Sequence, residues 1–334
     1  MPTADFPLIS PEEKESVRDA LQLLGLWEFG EVVMKVERAG EGNMNMVVRV
    51  VTTRRHIILK QSRPWVEKYP QIAAPVDRSA AEAGFYRLIN GHSDVASKMP
   101  RLWATDAGRH LLALEDLGSV SDYSALYASS DVDAMPMAEA TAWLVKLHSI
   151  SLQETERSQF GCMELRKLNH QHMYQIPLQS PSVAALDEVC PGLESLATEI
   201  RSWPTLESTC QRLGSEYLQA GDYLLHGDFY PGSWLRTEEG YRVIDPEFTY
   251  AGPREFDLGV LAAHRVLCGG DADSLDSVFE AYREAGGGDL DQKRVAEFAA
   301  LEIVRRLIGV AQLPLAEGIN PRRKMAEIAK EWLV

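Results

Sequence analysis

Two carboxylates, Asp228 and Asp245, stand seventeen positions apart, each closing an apolar run: Leu224-Leu225-His226-Gly227-Asp228 and Val243-Ile244-Asp245. Phosphoryl transfer asks for such a division of labour. One carboxylate orients an attacking hydroxyl and accepts its proton, while another holds the divalent ion that neutralises the phosphate oxygens. Asp228 suits the first task and Asp245 the second. Five positions after Asp228, where the pattern H-R-D-x-x-x-x-N carries a metal-binding asparagine, the chain has Ser233. A serine hydroxyl is a weaker magnesium ligand than an amide oxygen, and Glu247, two residues past Asp245, is placed to share the metal. Taken singly, either aspartate also suits a turn or a strand end; the joint pattern of His-Gly-Asp, a hydroxyl five on and Asp-Pro-Glu-Phe is what points to chemistry.

The nucleotide half of such a site needs a cover over the phosphates, a lysine for their charge and a carboxylate to hold that lysine. Gly40 and Gly42 with Asn43 supply a glycine turn that lets backbone approach a ligand, Lys60 closes a strand eighteen residues after Gly42, and Glu82 follows on the next helix. Their order ahead of Asp228 raises them above an ordinary hairpin, a surface lysine and a solvated helix face. Leu114-Glu115-Asp116-Leu117-Gly118 ends a buried strand, and the main chain of Glu115 and Leu117 is placed to pair with an adenine edge.

These residues need a β-rich platform and then helices. After a helix expected over Pro11 to Leu24, strands are expected over Val32 to Val36, Met46 to Thr52 and His56 to Lys60, forming an antiparallel sheet. Pro64, Pro70 and Pro75 make Gln61 to Asp77 read as an irregular connection into a helix over Arg78 to Asn90. Beyond Leu111 to Leu114 the helical period takes over. It predicts helices at Pro136 to Ile150, Ser182 to Gln219, Phe256 to Cys268, Ser274 to Ala285, Gln292 to Val310 and Pro321 to Trp332, with one β-rich insertion at Tyr223 to Thr249. The reading is α+β in two parts: residues 1–118 for the nucleotide and 119–334 for catalysis and the acceptor.

Bulk properties narrow the partners. With 34 basic and 49 acidic residues the net charge is −15, which disfavours nucleic-acid backbones and anionic membranes. The four cysteines show no metal spacing, nothing at the N-terminus reads as a secretory signal, and no apolar run reaches about eighteen residues. A cytoplasmic location follows as an expectation. Whether the working unit is a homodimer stays open.

The stretches Gly40 to Asn45, Ile58-Leu59-Lys60-Gln61, Leu114 to Leu117, His226-Gly227-Asp228 through Gly232-Ser233, and Asp245-Pro246-Glu247-Phe248 with Phe256-Asp257 together resemble a known family. The chain is similar to the aminoglycoside phosphotransferase and choline kinase superfamily, and within it to the 5-methylthioribose kinases. The resemblance implies a protein-kinase-like bilobal fold, ATP and magnesium as cofactors, and a small-molecule alcohol or sugar as acceptor. It implies Asp228 as catalytic base, Asp245 and Glu247 at magnesium, Lys60 at the ATP phosphates, and Arg305-Arg306 near the acceptor. Phe229-Tyr230-Pro231 and Pro253-Arg254-Glu255 depart from the methylthioribose kinases. They leave open an aminoglycoside or amino-alcohol acceptor, while Ser233 in the place of an asparagine leaves open a scaffold that binds nucleotide without turnover.

Overall fold

The computed structural model describes residues 3–40 and 44–334, so Gly42 and Asn43 of the glycine turn lie outside the described residues. Alternating burial along Met46–Thr52 places Met46, Val48, Val50 and Thr52 on one face, the period-two pattern of a strand with one side in the core. Five strands pair antiparallel in the spatial order Val33–Arg38, Met46–Thr52, His56–Gln61, Leu111–Glu115 and Leu102–Asp106. The helix Lys14–Leu23 lays Val17, Ala20 and Leu21 against Val48, Val50, Ile57, Leu59 and Ala113 of the sheet, closing a small apolar core.

The sheet and the Lys14–Leu23 helix agree with the periodicity, with ends shifted by up to three residues. The connection Gln61 to Asp77 differs: Trp65–Val66 pairs with Tyr69–Ala73 in a short antiparallel hairpin. The strand Leu102–Asp106 was also not expected; it is a sheet edge whose residues are all half-buried, so no clean alternation marks it.

Contacts divide the chain into two compact units. The first is residues 1–120 with 160–165 and 242–249; the second is residues 121–159, 166–241 and 250–334. The loop bearing Asp245 and Glu247 therefore packs with the sheet unit, whereas Asp228, Ser233, Arg305 and Arg306 belong to the helical unit. Among the described residues no helix is long and apolar enough to cross a membrane.

In the second unit the stretch expected as helical over Ser182 to Gln219 is three helices, Leu186–Val189, Leu193–Arg201 and Leu206–Tyr217. The unit's centre is the helix Glu255–Leu267, buried along nearly all its length and packed on Gln292–Ile308, whose N-terminus Asp291 caps by accepting from the Arg294 N–H at 3.0 Å. The two helices pack tightly at Gly259, where an added Cβ would lie 2.5 Å from the Phe298 Cβ and 3.1 Å from the Val295 carbonyl oxygen. Backbone on the facing helix cannot swing aside as a side chain can. Gly259→Ala is expected to destabilise the chain by about 1–3 kcal/mol, read as a lower urea midpoint; an unchanged midpoint would show that the helices part at little cost.

Candidate active site

In the first unit, the strand His56–Gln61 delivers Lys60 into the interior, its side chain 6% exposed. The helix Arg78–Ile89 brings Glu82, whose Oε2 lies 2.7 Å from the Lys60 ammonium, and Asp245 forms the second ion pair. Burial works against the ammonium, but Asp245, Glu82 and Glu247 more than offset it and hold the lysine protonated well past its usual range. Burial pushes the Glu82 carboxyl up, with Lys60 pulling the other way. Asp245 differs from its neighbours in two respects. Its side chain is 45% exposed, and its backbone sits at φ 68°, a left-handed conformation costly for a residue with a Cβ.

Glu247 faces inward. Its Oε2 accepts from Asn45 Nδ2 at 2.7 Å and lies 3.7 Å from Nε of Arg78, a wholly buried arginine. Arg78 in turn donates to Asn45 Oδ1 at 2.8 Å and to the Met44 carbonyl at 2.9 Å, so one guanidinium ties the end of the glycine turn to the Asp245 loop. Burial pushes the Glu247 carboxyl up to about 8, against the pull of Lys60 and Arg78. Gly40 adopts φ 76°, in the left-handed region that favours glycine. Glu115 closes its strand, with its carboxylate 3.3 Å from Arg101, while Leu117 is half-buried in the segment that follows. Asp116 is gripped by Arg49 through contacts of 2.8 and 2.9 Å, which fixes that segment.

In the second unit, the strand Tyr223–Leu225 runs into the loop His226-Gly227-Asp228. Asp257, fully buried, holds the loop: Oδ2 accepts from the His226 N–H at 2.8 Å and Oδ1 from the Gly227 N–H at 3.0 Å. Gly227 takes φ 84° there. The His148 ring lies with Nε2 3.3 Å from Asp257 and Nδ1 3.1 Å from the Tyr282 hydroxyl. Phe229 fills the space beneath, stacked on Trp143 at 5.4 Å between centroids. The Ser233 hydroxyl donates to the Asp228 carbonyl oxygen at 3.0 Å, closing the loop on itself.

The Asp228 carboxyl is pushed up by burial and pulled down by Arg306 and Arg305; Arg306 Nη2 lies 3.6 Å from its Oδ1. Arg305 turns to Glu302, donating from Nη1 at 2.8 Å. Thus Lys60, Glu82, Asp245 and Glu247 cluster in one unit, and Asp228, Ser233, Arg306 and Arg305 in the other. Sequence reasoning gave no role to Asn45, Arg78, Asp257, Tyr127, His264 or Glu302. Of these, Glu302 had a legible signal, since Glu-x-x-Arg-Arg on a helix sets both arginines three and four residues away on its own face.

Carboxylate, ammonium and guanidinium groups on a β-rich unit and a helical unit are the equipment of a protein-kinase-like phosphotransferase. The solved structure of choline kinase LicA from Streptococcus pneumoniae superposes with a TM-score of 0.56 at 15% identity, covering 96% of this chain and 98% of that one. A spectinomycin phosphotransferase bound to ADP and spectinomycin gives 0.54 at 13% identity, covering 95% and 93%. A model described as the phosphotransferase enzyme family matches residues 35–298, and the chain belongs to that family. The methylthioribose kinase of Geobacillus kaustophilus is 26% identical, covering 89% of this chain and 84% of the relative, and that of Bacillus velezensis is 24% identical, covering 92% and 86%. The resemblance read from the motifs is met, and the enzyme is a kinase-like phosphotransferase.

One buried group gives a test by acid. Burial lowers the pKa of His264 to about 4, whereas in the unfolded chain it titrates near 6.5. Between those values the unfolded chain binds the extra proton, so this contribution to stability is full above about 6.5 and drains away as pH falls toward 4, by at most about 1.4 kcal/mol per pH unit. The stability advantage of wild type over His264→Gln should therefore shrink through that window in urea titrations at successive pH values. A constant gap would contradict a neutral, buried imidazole.

Proposed function

We propose that this enzyme transfers the γ-phosphoryl group of ATP to a hydroxyl of a small sugar, 5-methylthioribose or a related pentose derivative, with magnesium. The observation that carries the reading is the Lys60–Glu82–Asp245 cluster: a buried ammonium held by one enclosed and one half-exposed carboxylate. The donor set fits the group it would hold. Magnesium binds through one or two hard carboxylate oxygens and otherwise keeps water, and Asp245 offers such oxygens at a half-open position. When bound, magnesium neutralises charge on the phosphate oxygens of ATP. Asp245 is the residue that would hold it, with Glu247 anchoring the loop behind and ready to share it, and Lys60 would face the phosphates. The main chain at Glu115 and Leu117 would receive the adenine, and the turn at Gly40 would cover the phosphates.

Asp228 orients the acceptor hydroxyl and takes its proton on a carboxylate oxygen as the bond from that hydroxyl oxygen to the γ-phosphorus forms and the bond from the γ-phosphorus to the β–γ bridging oxygen breaks, releasing ADP. Arg306 offers a donor beside it. Ser233 serves that geometry by pinning the loop through its hydroxyl. The sugar acceptor is supported by the similarity to methylthioribose kinases, which spans 89% of this chain for one of them, and by the two arginines on the Asp228 side, which are poorly suited to a cationic amino alcohol or aminoglycoside.

ADP release across 5-methylthioribose, other 5-substituted riboses, free pentoses, choline and an aminoglycoside tests the acceptor; turnover confined to the cationic compounds would overturn the sugar reading. Asp228→Asn should lower kcat by about 10²–10⁴, with ATP affinity within about twofold. Asp245→Asn should instead weaken ATP binding only when magnesium is present. Wild-type turnover in the first variant, or an unchanged magnesium titration in the second, would remove the assignment.

A further inference from the structure

Glu302 is wholly enclosed in the helix Gln292–Ile308 and makes three contacts. Its Oε2 accepts from Arg305 Nη1 at 2.8 Å, and its Oε1 accepts from Arg306 Nε at 2.6 Å and lies 3.3 Å from His264 Nε2. A carboxylate can only accept, so Nε2 of His264 carries the ring's proton, and Nδ1 must then accept from the Tyr127 hydroxyl 2.6 Å away. Tyr127 and His264 are themselves fully buried. His264 therefore holds the carboxylate through Oε1, the same oxygen that takes Arg306.

That hold sets the attitude of Arg306. Its Nε is tied to Glu302, its Nη1 points to the Ala311 carbonyl at 3.5 Å, and its guanidinium carbon lies 5.1 Å from the centre of the Tyr230 ring, which packs at a tilt of 43° against His264 with centroids 5.2 Å apart. The remaining nitrogen, Nη2, is buried, has no hydrogen-bond partner among the described residues and stands 3.6 Å from Asp228 Oδ1. Arginine–carboxylate pairs are frequently two-pronged at about 2.8 Å; here the separation is 3.6 Å.

We infer that Glu302 is a positioning residue that restrains Arg306 from closing on Asp228, leaving the Asp228 carboxylate for the acceptor hydroxyl and Arg306 Nη2 for an incoming oxygen. The inference rests on Asp228 orienting the hydroxyl, as proposed above. Freed from Glu302, Arg306 pairs with Asp228 and occupies the oxygen that the acceptor needs. The loss should then fall on turnover, not on nucleotide binding, and should pass through Arg306.

The test is a double-mutant cycle in the full chain, with kcat and KM for ATP read from ADP release on 5-methylthioribose and, without acceptor, from slow hydrolysis by water. Glu302→Gln should lower kcat at least tenfold with KM for ATP within twofold, and should cost less than threefold when added to Arg306→Gln. An equal loss in both backgrounds, or a lowered melting temperature with kcat unchanged, would overturn the inference. Glu302→Asp keeps the charge that offsets the arginines while shortening its reach, and its crystal structure reads the geometry without any activity. Arg306 Nη2 moving to hydrogen-bond distance from Asp228 upholds the restraint; Nη2 remaining near 3.6 Å overturns it. Absence of ADP release by wild type on sugar and in water would instead count against the proposed function, with the Glu302→Asp structure still deciding the restraint.

Discussion

A lysine ammonium taken out of water is tolerable only if carboxylates replace its hydration. Lys60 meets that condition through Glu82 and Asp245, and the requirement organises the sheet unit around it. The strand His56–Gln61 must present Lys60 inward, the helix Arg78–Ile89 must place Glu82 behind it, and the Asp245 loop must return from more than 180 residues further along the chain. Arg78, Asn45 and Glu247 then brace that loop from below. Of the acids in this cluster Asp245 is the one with substantial exposure. An ammonium balanced by an enclosed carboxylate and a half-open one is suited to exchange its second partner for phosphate and a metal-bound oxygen.

The helical unit solves a similar problem with the signs reversed. Asp257 uses both oxygens to fix the two peptide N–H groups that precede Asp228, and Glu302 uses both of its oxygens to fix the two arginines. Neither acid is itself on the Asp228 loop. Each converts a flexible element, a glycine-containing turn in one case and long cationic side chains in the other, into a defined geometry. Preorganisation of this kind lowers the cost of aligning donors and acceptors at the moment of transfer.

Much of this was legible in the sequence where chemistry and order along the chain coincide. Asp228 and Asp245 stand in motifs with strong local context, Lys60 and Glu82 were marked only by their order ahead of Asp228, and the structure gathers Asp245, Lys60 and Glu82 through direct ion pairs. Arg78 was not legible, because a fully buried arginine looks like any helix-start cation until its partners are known. Its network joins Asn45 to Glu247 across 202 positions. Asp257 could be seen only as part of a motif, since its work is done on backbone N–H groups that no residue type advertises. The Trp65–Val66 and Tyr69–Ala73 hairpin was hidden by prolines, which remove a backbone donor but are tolerated in short two-stranded pairs.

If Lys60 is a phosphate ligand held ready by its carboxylates, calorimetric titration of Lys60→Met should show at least a tenfold loss of affinity for magnesium-ATP, with adenosine binding held within twofold. Equal affinities for magnesium-ATP in wild type and variant would contradict that role and leave Lys60 a structural ion-pair partner.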